Sequence, residues 1–176
     1  MTKTQRSPAV SSPQAYRENL FRLLGRKSPL RVLAQTAPAL DAILRKHPAK
    51  ALRTRPGAGK WTPNEVIGHL TDSEWVYGYR LRLILSQENP AILATDQDSW
   101  VARQRHNDRE PSELVEMFRT MRRFNLAAWE SLSGADFKRS GQHNERGREP
   151  LGMMLRMMAG HDLSHLEQIR RLLRAM

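Results

Sequence analysis

His161 and His165 stand four residues apart in the run Gly160-His161-Asp162-Leu163-Ser164-His165. On a helix that separation stacks two imidazoles one turn apart on the same face, the geometry by which one helix offers two ligands to one metal ion. Two nitrogens leave such an ion underfilled. A third is available in His69, within Val66-Ile67-Gly68-His69-Leu70, where the apolar neighbours direct its ring toward a protein interior. A three-histidine site leaves a coordination position for water or substrate. Spacing alone secures only the pair, because a lone histidine on an apolar face also serves as a hydrogen-bonded core residue and H-x-x-x-H occurs by chance in helices.

Composition narrows the chemistry. The chain has no cysteine, which excludes disulfides, thiolate zinc sites and cysteine nucleophiles; any metal is held by histidine nitrogen or carboxylate oxygen. With 176 residues and 39% hydrophobic content, one domain with one core is expected. The N-terminus lacks the apolar run of a signal peptide, and no segment approaches the roughly 18 apolar residues of a membrane span, so a soluble, cytoplasmic protein is expected. The formal charge of +11 raises the question of an anionic partner. The arginines, however, fall in scattered pairs, Arg53 and Arg55, Arg80 and Arg82, Arg103 and Arg105, Arg122 and Arg123, Arg170 and Arg171. This distribution reads as solvated faces rather than one strip, and nucleic acid is not the expected partner.

The elements that must position the histidines follow from periodicity. Residues 1–13 are polar, contain Pro8 and Pro13, and are expected to be a disordered tail before a single domain over 14–176. Tyr16, Leu20, Phe21, Leu23 and Leu24 mark a short first helix ending at Gly25. Residues 29–46 carry one helical stripe, but Pro38 lies inside it and predicts a break near Thr36, which would cap a second piece. After a loop over 47–60 comes the strongest local signal, Trp61-Thr62-Pro63-Asn64-Glu65-Val66: a capping box from Thr62 and Glu65, proline at the first helical position, and Trp61 stapled onto Val66. That helix is expected to run from Pro63 to about Gln87. The stretch 88–109 breaks pattern and is either functional or partly helical. A third long helix spans about Pro111–Ser131, with Leu114, Phe118, Met121, Phe124 or Asn125, and Ala128 on one face. A glycine-containing loop covers 134–149, and Pro150 opens a last helix to about Arg174. With no alternating strand pattern, the fold class is all-α, a four-helix bundle with a short extra N-terminal helix.

Two of these segments, Trp61 to Glu74 and Gly160 to Ile169, resemble the signature regions of the DinB-like superfamily, which includes YfiT-like metal-dependent hydrolases and bacillithiol transferases. The loop Gly141-Gln142-His143 with Gly147 and the run Asp96-Gln97-Asp98 are also similar to segments of these proteins, so the resemblance covers roughly residues 14–174 in the right order. It implies a DinB/YfiT-like four-helix bundle, commonly a homodimer, with a divalent metal, zinc or nickel, on three histidines. The family's first histidine falls on His69 and its pair on His161 and His165.

Around this triad, Asp72 and Gln168, each three residues beyond a ligand, are candidates to orient an imidazole. Glu74, Asp98 and His143 are weak candidates for catalytic roles, with pinning of its own loop the favoured reading of His143. His47 and His106 sit in polar surroundings as bystanders. Met153, Met154, Met157 and Met158 read as core packing, with an adaptable pocket floor as the alternative. Three neutral imidazoles on one ion suit activation of water or of a thiol. The resemblance favours transfer from a low-molecular-weight thiol to a small-molecule substrate. A hydrolase using activated water, or a non-catalytic stress-related metal-binding bundle, are the alternatives.

Overall fold

The computed structural model describes residues 12–175. Of the tail expected at 1–13, residues 1–11 lie outside the described residues, whereas Pro13 already belongs to α1 (Pro13–Leu24), whose first turn is capped by the Ser12 hydroxyl accepting from the Ala15 amide.

Helix α2 (Pro29–Lys46) runs unbroken through Pro38, so the expected break near Thr36 is absent. The Thr36 hydroxyl does not cap a new helix: it lies 3.1 Å from the Val32 carbonyl and 2.6 Å from Asp162 Oδ2. An interior proline costs about 3 kcal/mol, and burial of Leu33, Ala37, Leu40 and Ile43 on both sides of it outweighs that cost. The loop after α2 contains a short helix, α3 (Ala49–Arg53).

Helix α4 (Pro63–Ser86) begins where the capping box places it: the Glu65 amide donates to Thr62 Oγ1 at 3.1 Å and the Thr62 amide donates to Glu65 Oε2 at 2.7 Å. The connection from 88 to 109 is largely ordered, with strand β1 (Ala91–Ile92), helix α5 (Gln97–Gln104) and a 3-10 turn over His106–Asp108. The acidic run Asp96-Gln97-Asp98 is the start of α5, Asp96 accepting from the Ser99 amide. Helix α6 (Pro111–Glu130) turns Asn125 inward and leaves Phe124 68% exposed, which decides between the two residues offered by periodicity.

The stretch before the last helix, expected as a loop, is a hairpin of β2 (Ser140–His143) and β3 (Gly147–Pro150); β1 pairs parallel to β2 with Ile92 opposite His143. A two-residue strand and the polar sequence Ser-Gly-Gln-His give no alternation long enough to read. Helix α7 (Leu151–Arg174) follows at once.

Helices α2, α4, α6 and α7 form a closed ring in which each packs on two neighbours, and α1 lies along α7. Close approach of α1 requires Gly160, since a Cβ there would stand 2.4 Å from the Leu20 carbonyl oxygen. Two apolar clusters fill the ring. One joins Tyr77, Leu81 and Ile84 to Leu151, Met154 and Met158; the other joins Val66, Ile67 and Leu70 to Leu114, Phe118 and Ile169. Met154, Met157 and Met158 are thus core residues. Among the described residues no helix is long and apolar enough to cross a membrane.

An ionic clasp runs through the bundle. Arg122 of α6, 4% exposed, donates to Glu74 of α4 at 2.6 and 2.9 Å, to Asp162 of α7 at 2.6 Å, and to the Leu33 carbonyl of α2 at 2.8 Å. Asn125 donates to the second Glu74 oxygen at 3.0 Å. Arginine's planar fork serves all four helices at once, a task lysine's single ammonium would not fulfil.

Candidate metal centre

The capped start of α4 sets the phase that turns His69 inward, and α7, running against α4, brings His161 and His165 to meet it. His69, His161 and His165 are 5%, 5% and 9% exposed, and one ring nitrogen from each lies within 4.8 Å of the others. The Nε2 atoms of His69 and His161 are 3.0 Å apart. Two nitrogens bound at about 2.0–2.1 Å to one ion are separated by roughly 3–4 Å, so this spacing suits shared coordination.

Electrostatics point the same way. Burial, with His165 next, drives the His69 pKa well below its ordinary value; burial, with His165 and His69, does the same to His161; burial lowers His165. All three are neutral at physiological pH, the state that can ligate. Gln168 Oε1 lies 2.7 Å from His165 Nδ1, so that nitrogen carries the proton and the Nε2 lone pair is left to the centre. His161 Nδ1 is buried without a hydrogen-bond partner among the described residues. The Trp61 ring stands 5.0 Å from that of His69, a lid of apolar surface on one side of the cluster. Three buried, neutral imidazoles whose nitrogens converge fit a divalent metal ion.

Of the site candidates offered by sequence, Gln168 is the one hydrogen-bonded to the triad among the described residues. Asp72 does not orient His69: its oxygens take Gln104 Nε2 at 2.9 Å and His106 Nε2 at 2.9 Å. His106 is accordingly not a bystander. It is 4% exposed and its ring lies so close to α4 that a Cβ on Gly68 would meet His106 Cγ at 2.2 Å. Its polar sequence surroundings concealed this, because the long-range contact with Gly68 and Asp72 is made only in the folded chain. Glu74 is fully buried and committed to Arg122 and Asn125; burial raises its pKa against the lowering effect of Arg122. Asp98 is half-buried in the first turn of α5. His143 lies in β2, where its Nδ1 accepts from the Glu145 amide at 3.1 Å, and does not join the cluster. His47 ends α2. The arginine pairs are not uniformly solvated, since Arg80 and Arg122 are buried.

Comparison with known proteins agrees with this architecture. The chain matches the family model of the DinB superfamily over residues 33–169. A protein of Oceanobacillus iheyensis, named as a putative metal-dependent hydrolase, is 30% identical over 119 residues, 67% of this chain and 68% of the relative. YfiT of Bacillus subtilis, named in the same way, is 26% identical over 118 residues, covering 64% of this chain and 66% of its own. The solved structure of YfiT, described as a four-helix bundle of unusual topology, superimposes with a TM-score of 0.76 at 23% identity, covering 97% of this chain and 93% of that one. At that identity the likeness concerns the fold.

Proposed function

The chain belongs to the DinB superfamily, and from that premise we propose that it is a metal-dependent enzyme whose ion is held by His69, His161 and His165. We further propose that it transfers a low-molecular-weight thiol to a small electrophile. The observation that carries the proposal is the convergence of three buried, neutral imidazoles, with His165 held in its ligating tautomer by Gln168. A divalent ion held by His69, His161 and His165 would supply Lewis acidity that lowers the pKa of a thiol or of water.

What the chain's own residues do favours the thiol. Attack by water is assisted by a protein base close to the centre, and Glu74, the carboxylate nearest to His69 in sequence among the catalytic candidates, is locked to Arg122 and Asn125. A thiol needs no such base once ionised: its proton passes to solvent, the sulfur lone pair forms the new bond to carbon, and the leaving group departs with its bonding pair. Trp61 covers one side of His69. Hydrolysis with activated water is the second reading, favoured by the names of the relatives.

The test incubates metal-loaded protein with a panel of thiols and monochlorobimane, beside ester and amide substrates. Metal-dependent conjugation supports the thiol reading and metal-dependent hydrolysis the second. No turnover with any of them, in protein shown to hold one ion per chain, would overturn an enzymatic role.

A further inference from the structure

Away from the triad, the hairpin faces α4 with a group of side chains that the metal centre does not use. Arg80 of α4 is 6% exposed. Its Nη2 donates to the Leu93 carbonyl at 2.6 Å, and its guanidinium carbon lies 5.8 Å from the centre of the Tyr77 ring. Among the described residues no carboxylate is within ion-pair distance of it. The nearby Glu149, 1% exposed, gives both oxygens to Arg146. The residues before Ser12 include no Asp or Glu.

His143 stands beside this arginine because of the sheet. Ile92 is the register partner of His143, and the next residue, Leu93, supplies the carbonyl that anchors Arg80. His143 is 1% exposed. Burial, with the Arg146 cation next, pulls its pKa down to about 4, so the ring is neutral. Its Nδ1 accepts from the Glu145 amide, which puts the single ring proton on Nε2. That Nε2 is buried and has no partner among the described residues.

His143 therefore presents an unused buried N–H donor, and Arg80 beside it is a buried cation whose nearest acidic neighbour, Glu149, is already paired with Arg146. A buried cation without an anion is costly, and an unsatisfied buried donor costs about 1–3 kcal/mol. Both deficits have one remedy.

We propose that Arg80 and His143, beside Tyr77, form an oxyanion-binding site that takes the carboxylate or phosphate group of a small molecule. A guanidinium pairs with either group through two parallel N–H bonds, and the neutral His143 supplies a third donor. Arg80 lies 11 residues beyond His69 on α4, about 16 Å along the helix axis. A small thiol or electrophile with an acidic group at its far end is thereby the substrate class indicated; this link rests on the function proposed above, whereas the anion site does not.

The experiment uses metal-stripped full-length protein, so that it stands or falls apart from the metal centre. Thermal melting and calorimetry with inorganic phosphate, with acetate, and with chloride at matched ionic strength should show saturable binding of phosphate or acetate beyond chloride. The stronger of the two names the source. Arg80→Gln should weaken that binding at least tenfold and His143→Gln several-fold. Should Arg80→Gln fail to fold, Arg80→Lys and the His143 Nε2–H resonance of the unmodified protein provide the same decision, since bound anion shifts that resonance and the lysine variant binds about tenfold more weakly. Phosphate and acetate acting no better than chloride, or an unmoved His143 resonance at saturation, overturns the proposal.

Discussion

Asp162 holds Arg122 at 2.6 Å and is the residue immediately after His161, whose Nε2 lies 3.0 Å from that of His69. Successive helical residues point about 100° apart. The ionic clasp therefore fixes the rotation of α7 about its axis, and with it the direction in which His161 and His165 present their nitrogens.

Removing the hub of that clasp should be severe. Arg122→Met leaves Glu74 and Asp162 as buried, uncompensated carboxylates, and a loss of about 3–5 kcal/mol is expected in urea unfolding. Arg122→Lys should fall between, since it restores charge without the fork. A loss under about 1 kcal/mol for Arg122→Met would show that the clasp is energetically idle.

Metal retention should depend on each member of the triad. His69→Ala and His161→Ala, purified without a histidine tag, should lose nearly all bound divalent metal by elemental analysis, while His47→Ala should retain it. Full metal content in both triad variants would remove the centre from these residues.

Gln168 is hydrogen-bonded to His165 and would act on a bound ion only through it. Gln168→Leu should weaken metal affinity about 10–100-fold, the usual effect of losing a partner that orients a ligating imidazole, with stability of the metal-free chain little altered. Competition with a chromogenic chelator reads the first quantity and urea unfolding the second; equal affinity would mean that His165 orients itself.

The stability of the metal-free protein should decline with acid. His69, His161 and His165 have folded pKa values below the ordinary histidine value, and His143 is lowered to about 4. The unfolded chain thus binds more protons as pH falls below about 6.5. Each imidazole then withdraws up to about 1.4 kcal/mol per pH unit until its folded form also titrates. Stability should be flat above about pH 7.5 and fall steeply between pH 6.5 and 5, a slope that urea midpoints at stepped pH measure. A bound divalent ion should raise stability without moving the onset of the fall, so that acid unfolding itself requires lower pH; no fall in the stripped protein would contradict the depressed values.

Gly68 tests the reach of His106. A methyl group at this position collides with the His106 ring, so Gly68→Ala should cost about 1–3 kcal/mol, as overpacking does. Adding His106→Ala should relieve the collision while exposing Asp72 to the loss of its partner. Thermodynamic additivity across that cycle would disprove the contact.

What could be read in the chain were features with local causes. The capping box at Thr62 and Glu65, the stop at Gly25, the start at Pro150, and the four-residue step from His161 to His165 depend on neighbours in sequence, and the bundle follows from helical periodicity. Pro38 misled because its local cost is overridden by packing on either side, which sequence does not display. The small sheet was hidden because its strands are only two and four residues long. Arg80, Arg122 and His106 looked solvated because buried polar residues carry no hydrophobic signal; only their distant partners, Leu93, Asp162 with Glu74, and Asp72, draw them inside.

Helix α7 uses three neighbouring positions to meet four helices: Gly160 admits α1, His161 meets α4, and Asp162 reaches α2 and α6. One residue inserted after Asp162 would swing His165 about 100° around the axis and 1.5 Å along it, out of reach of His69, while leaving the clasp intact. This helix can exchange its exposed side chains freely, but between Gly160 and His165 its length is as fixed as a reading frame.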